Sequence, residues 1–143
     1  MSPQVLFVYG TLRGDSKNEM FQVLARDAKF LGEGKVRGRL FSLGPYPGMA
    51  LSDSDDGSVR GELYQVRPER WQQVIRELDS YEGCGPDDPE PHEYRRALVD
   101  VVTASGRKVP AWAYLLNRPT AHLEEIPSGD YLSWRASAER SRR

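Results

Sequence analysis

Two short stretches hold residues whose types and spacing suit acid and base chemistry on a small anionic ligand. In Tyr9-Gly10-Thr11-Leu12-Arg13-Gly14 a glycine-flanked polar turn follows the apolar run Val5-Leu6-Phe7-Val8 and leads into Ser16-Lys17-Asn18-Glu19, the signature of a helix start. A strand that turns through glycine into a helix N-terminus gathers free backbone N–H groups at one point, which suits a carboxylate, a phosphate or an oxyanion. Taken alone, the same glycines serve equally well as the punctuation of a strand-to-helix connection. The second stretch is Asp79-Ser80-Tyr81-Glu82-Gly83-Cys84, at the end of an amphipathic segment. A helix C-terminus is a poor place to keep a negative charge, so Glu82 reads either as a helix-end surface residue or as a desolvated general base. Asp79, one helical turn earlier, competes for the same role.

Other chemistries find little support. His92 and His122 are isolated and Cys84 is the single cysteine, so no metal-ligand spacing exists. No Gly-x-Ser-x-Gly elbow supports a serine hydrolase, and Cys84 lacks a basic partner nearby, which favours a small, half-buried structural thiol. The turn from Gly10 to Gly14 lacks the Gly-Lys-Ser/Thr ending of a phosphate-gripping loop. No cofactor and no metal are expected.

The elements that must position these residues follow from periodicity. Gln4 to Tyr9 reads as a buried strand, since its contiguous β-prone residues stop at Gly10. Ser16 to about Asp27 reads as a helix, with Met20, Phe21, Leu24 and Ala28 near one face. Between Lys29 and Leu43 the repeated glycines suggest two strands. Gly44-Pro45-Tyr46-Pro47-Gly48 reads as a loop, Met49 to Ser52 as a short strand, Asp53 to Gly57 as a turn and Val59 to Val66 as a further strand. Pro68 is placed as the first residue of a helix in which Trp71, Val74, Ile75 and Leu78 repeat at helical spacing up to Ser80. Residues 86–92 are proline-rich and acidic, and are expected to form an exposed, mobile connection. Tyr94 to Thr103 and Val109 to Leu116 form a hairpin about Ser105-Gly106, and a short helix is expected near Asp130 to Ala138. Many strands with two main helices give an α+β class, a strongly curved and closable sheet with flanking helices.

The chain has 143 residues, with 20 basic against 21 acidic side chains, so one domain spanning residues 1–143 is expected, with a mobile tail from about 136. This balance carries no footprint for nucleic acid, and the terminal Glu139-Arg140-Ser141-Arg142-Arg143 reads as a solvated tail. No run of apolar residues is long enough to span a membrane, and no leader pattern precedes the first strand. A single cysteine fits a reducing compartment, so the cytoplasm is the expected location.

Together, Tyr9-Gly10-Thr11-Leu12-Arg13 after an N-terminal strand, Leu78-Asp79-x-Tyr81-Glu82-Gly83 downstream and Tyr94-x-Arg96 beyond it resemble the gamma-glutamylcyclotransferase-like family. The resemblance covers about residues 4 to 117. It implies a small mixed β-barrel with flanking helices, in which the turn holds a γ-glutamyl group and the glutamate of Tyr-Glu-Gly is the acid/base. Carried over, Tyr9, Gly10, Thr11 and Leu12 bind substrate and Glu82 is catalytic. The implied reaction is attack of the α-amine of a γ-glutamyl amide on its own γ-carbonyl, releasing 5-oxoproline and a free amine or amino acid. The nucleophile belongs to the substrate, so the enzyme needs only to fold it, move a proton and steady an oxyanion. An elevated pKa is expected for Glu82, because a glutamate of ordinary acidity is a poor match for an α-ammonium.

The Thr-Leu-Arg form of the turn is more similar to the branch acting on γ-glutamylamines or on γ-glutamyl-protected intermediates than to the glutathione-degrading branch, whose turn usually reads Gly-Ser-Leu. Arg13 is a candidate partner for the substrate carboxylate or a solvated residue at the turn's edge. Tyr46 either walls the pocket or packs on the barrel rim. Tyr114 reads as core, with the alternative that its hydroxyl reaches the site. A non-catalytic binding module for a γ-glutamyl-like or carboxylate ligand is the alternative function, but a nearby carboxylate does not help to bind an anion. The partner expected is a small-molecule substrate.

Overall fold

β1 (Val5–Val8) carries four consecutive apolar residues because both of its faces are covered. Phe7 and the following Tyr9 join one buried cluster with Val36, Leu40, Met49, Leu63 and Leu115, while Leu6 and Val8 join a second with Leu24, Val74, Ile75 and Leu78. The first cluster is the inside of a barrel, and the second lies between the barrel wall and two helices. The computed structural model describes residues 4–9, 19–43, 47–52, 57–86, 88–131 and 133–134.

α1 (Glu19–Asp27) is followed directly by β2 (Ala28–Ser42), then β3 (Pro47–Leu51) and β4 (Ser58–Val66). A single 3-10 turn at Pro68–Arg70 opens α2 (Trp71–Tyr81), and β5 (Tyr94–Thr103), β6 (Lys108–Leu116) and β7 (Glu124–Ile126) complete the order. The strands run β1-β4-β2-β3-β6-β5, and an additional pairing of β1 with β6 closes β1, β4, β2, β3 and β6 into a five-membered ring. β5 flanks β6 along its length and touches β2 at Gly34 and Lys35, and β7 pairs with the end of β2. The fold is therefore a mixed β-barrel with extra strands and few helices, as the sequence led us to expect.

Three local readings are corrected. Lys29 to Leu43 is one long strand rather than two. Its glycines do not break it: the register shifts between Phe30 and Gly32, and the strand continues from β4 on one edge to β3 on the other. Gly34 and Gly61 face each other across β2 and β4, and a Cβ on Gly61 would lie 2.4 Å from the Val8 carbonyl oxygen, so glycine lets the barrel wall close there. Pro47 and Gly48 belong to β3 rather than to a loop, because Pro47 sits at the first strand position, where no ladder donor is needed, and its carbonyl accepts the Tyr94 hydroxyl at 2.7 Å. Pro68 starts a 3-10 turn, and the α-helix begins at Trp71.

The hairpin of β5 and β6 matches the sequence reading to within a residue, and Val74, Ile75 and Leu78 are the buried stripe of α2. Residues 86 and 88–92 are irregular and largely exposed, as the expectation of an exposed connection has it, with the Asp88 carboxylate accepting the Gly85 N–H at 2.8 Å. β7 was not anticipated. Helical residues at 131, 133 and 134 match the start of the expected last helix, while the tail, residues 53–56 and Ser16 lie outside the described residues. Among the described residues no helix is long and apolar enough to cross a membrane.

Candidate active site

Glu82 is fixed by the way α2 ends. The N–H of Gly83 bonds to the Ser80 carbonyl at 3.2 Å and that of Cys84 to the Asp79 carbonyl at 2.9 Å, with Gly83 at a φ of +73°. These are the paired bonds of a Schellman stop, with Glu82 as the last residue before the left-handed glycine. A Cβ at Gly83 would meet nothing within 4 Å, so Gly83→Ala tests backbone conformation alone. It is expected to cost about 1 kcal/mol of stability, from the penalty an L side chain pays in the left-handed region. Urea unfolding would read this as a lower midpoint at unchanged slope, and an unchanged midpoint would mean that the stop does not depend on glycine.

The Glu82 side chain is half-buried, and burial is the main reason its carboxyl is pushed up to about 7, with the charges of Asp79 and Glu93 adding to the effect. This is the raised acid anticipated from the sequence. Tyr9, at the end of β1, lies close enough for the Glu82 charge to act on its phenol, whose pKa is raised well above the ordinary value, first by burial and then by that charge. The phenol is neutral at any working pH. Its hydroxyl donates to the Tyr114 carbonyl and accepts from the Met49 N–H at 3.1 Å. Both partners sit where one edge of β6 passes from β1, paired at Trp112, to β3, paired at Leu115. Tyr9 thus seals the seam between two strands that share an edge.

Asp79 is not a second free acid. Its carboxylate accepts the Tyr114 hydroxyl at 2.7 Å and the Arg96 guanidinium at 2.9 and 3.2 Å. Arg96 in turn lies over the Trp112 ring, 5.2 Å from its centre. Tyr114 is buried in the core, as read from the sequence, and its hydroxyl reaches Asp79. On β6 the residues Ala111, Ala113 and Leu115 enter the barrel, and Trp112, Tyr114 and Leu116 pack with the helix-side cluster. Its phenol pKa is raised by burial and by the Asp79 bond. The sequence signal for this hub was Tyr94-x-Arg96 together with a tyrosine in the last long strand; what brings them to Asp79 is strand pairing across the chain.

Burial, with Asp79 and Glu82 nearby, pushes the Cys84 thiol up to about 11, which suits packing and not nucleophilic attack. Among the described residues no group of three or more histidine, cysteine, aspartate or glutamate side chains is arranged to hold a metal ion. Gly10, Thr11, Leu12, Arg13 and Tyr46, assigned to substrate binding from the sequence, lie outside the described residues. What the site presents is a raised carboxyl at a helix stop, within electrostatic reach of a neutral tyrosine at the end of the first strand.

Comparison with known proteins gives a consistent picture. A family model described as gamma-glutamyl cyclotransferase, AIG2-like, matches residues 6–133. The gamma-glutamylcyclotransferase family protein YtfP of Escherichia coli (strain K12) is 33% identical over 128 residues, covering 89% of this chain and 95% of that one. Among solved structures, an AIG2-like protein from Mus musculus superposes with a TM-score of 0.68 at 25% identity, covering 91% of this chain and 90% of that one. YkqA from Bacillus subtilis superposes with a TM-score of 0.71 at 27% identity, where the match covers 96% of this chain and 42% of that one.

Proposed function

Because the chain belongs to the gamma-glutamyl cyclotransferase, AIG2-like family, we propose that it converts a γ-glutamyl amide into 5-oxoproline and a free amine or amino acid, with Glu82 as general acid/base. The observation that carries this reading is the Glu82 carboxyl, pushed up to about 7 by burial next to Tyr9. Moving a proton from an α-ammonium to an ordinary glutamate is uphill by roughly 5 kcal/mol, and to a carboxyl near 7 by only about 1.4 kcal/mol. Glu82 takes the ammonium proton, the freed amine attacks the γ-carbonyl, the lactam C–N bond forms and the amide C–N bond breaks. The same proton then passes from Glu82 to the leaving nitrogen, and the carboxylate so restored takes the second proton that the new lactam nitrogen must lose and delivers it to the released amine, which departs as an ammonium.

Arg13 and backbone N–H groups of residues 10–12 are assigned to the α-carboxylate or the oxyanion, and Tyr46 to the pocket wall. No cofactor enters any step. The Gly-Thr-Leu-Arg form of the turn favours γ-glutamylamines over glutathione as the substrate class. The test is incubation of the purified protein with γ-glutamylamines, γ-glutamyl amino acids and glutathione while 5-oxoproline is followed. Release from the amines with the highest kcat/KM is the expected result. No release from any of them, with ligand binding retained, would favour the binding-module reading instead.

A further inference from the structure

Glu82 has a charged neighbour whose own hydrogen bonds leave it no part in moving a proton. Asp79 stands one helical turn ahead of it on α2, three residues away, the spacing that puts two side chains on one helix face. Its carboxylate is held by Arg96 from β5 and by the Tyr114 hydroxyl from β6, so two strands fix its position against the helix end. We propose that Asp79 is a positioning residue: clamped by Arg96 and Tyr114, it holds a fixed negative charge beside the Glu82 carboxyl at the end of α2 and does not itself exchange protons with substrate. This rests on the role of Glu82 in the proposed function.

Burial is the larger influence on Glu82, and among the charges that add to it Asp79 comes ahead of Glu93. From the residue just after β1 comes the Tyr9 phenol, which stays neutral, and the Cys84 thiol, raised in pKa, is also uncharged. From the segment before β5 comes Glu93, paired with Arg118 at 3.2 Å. That pair is more exposed, with side-chain exposures of 34% and 48% against 17% for Asp79 and 29% for Arg96, so solvent and salt screen it more. Arg96 offsets part of the Asp79 charge, and its guanidinium is directed to Asp79 and Trp112. Removing the acid and removing its cation should therefore move Glu82 in opposite directions, whereas a merely structural hub would destabilise the protein in both cases without such a pattern.

The experiment follows the Glu82 carboxyl by carbon-13 NMR titration of the full chain, alongside the acidic limb of kcat/KM against pH. Asp79→Asn is expected to lower the Glu82 midpoint by about one unit and Arg96→Gln to raise it by about half a unit to one unit, the order of effect of one nearby charge lost. Arg96→Lys keeps the cation and is expected to restore the wild-type midpoint. If Asp79→Asn does not fold, the contrast between Arg96→Gln and Arg96→Lys decides the matter. An unmoved NMR midpoint, or movement in the same direction for Asp79→Asn and Arg96→Gln, overturns the proposal. NMR midpoints that move as expected while the limb of kcat/KM stays fixed would uphold the charge network and instead remove Glu82 from the reaction.

Discussion

Glu82→Gln is expected to lower kcat by about 10²- to 10⁴-fold, the usual loss when a positioned acid/base is removed, while making the folded protein more stable above neutral pH. The carboxamide has nearly the shape of the acid and cannot take the ammonium proton, so substrate affinity should change far less than turnover. The stability gain follows from the same burial. In the unfolded chain Glu82 releases its proton near 4.5, but in the folded protein only near 7. Between those values the folded state holds a proton that the unfolded state has lost, so stability falls as pH rises, and above 7 the whole cost of the buried charge persists. A displacement of this size is worth on the order of 2–3 kcal/mol after allowance for the partial exposure of the side chain. Urea unfolding should give coincident stabilities for wild type and variant near pH 4, diverging as pH rises to about 8. A variant that is inactive because it is less stable at every pH would point to a structural role for Glu82. A variant that keeps full activity would show that another group moves the proton.

This trade between stability and proton chemistry was half legible in the chain. Glu82 is set by local signals, because an amphipathic repeat from Trp71 to Leu78 that runs into Tyr81-Glu82-Gly83 places a carboxylate at a helix stop whatever the rest of the fold does. The run from Val5 to Val8 and the hairpin from Tyr94 to Leu116 were equally readable, since both depend on short-range pattern. What could not be read depends on pairing between distant residues. The glycines of β2 look like breaks in sequence, yet Gly38 sits where a Cβ would come within 2.6 Å of the Ala50 carbonyl oxygen, which makes it a point of close approach inside one strand. Pro47 looked like loop for the same reason, because only its place opposite Ser42 makes it the first residue of a strand. The partners of Asp79 come from strands 17 and 35 residues further along the chain, so nothing near Asp79 announces that it is clamped and unavailable as a base.

Tyr9→Phe should be the costliest conservative change in the barrel, because the hydroxyl it removes serves two buried main-chain groups at once. The ring would still fill its place among Phe7, Met49 and Leu115. The Tyr114 carbonyl would lose its donor and the Met49 N–H its acceptor, and leaving two buried polar groups unpaired is expected to cost about 2–4 kcal/mol. The loss falls at the point where β1 leaves the edge of β6 and β3 takes over, immediately before the residues 10–13 that we propose hold the γ-glutamyl group. Weakening that seam should therefore raise KM more than it lowers kcat. The acidic limb of kcat/KM should stay near 7, because the phenol removed is neutral and leaves the charges around Glu82 unchanged. This pattern is distinct from that of Asp79→Asn, which shifts the limb. A Tyr9→Phe protein with a wild-type urea midpoint would mean that solvent replaces the hydroxyl at the seam, and the barrel would then stay closed without the tyrosine's bridge.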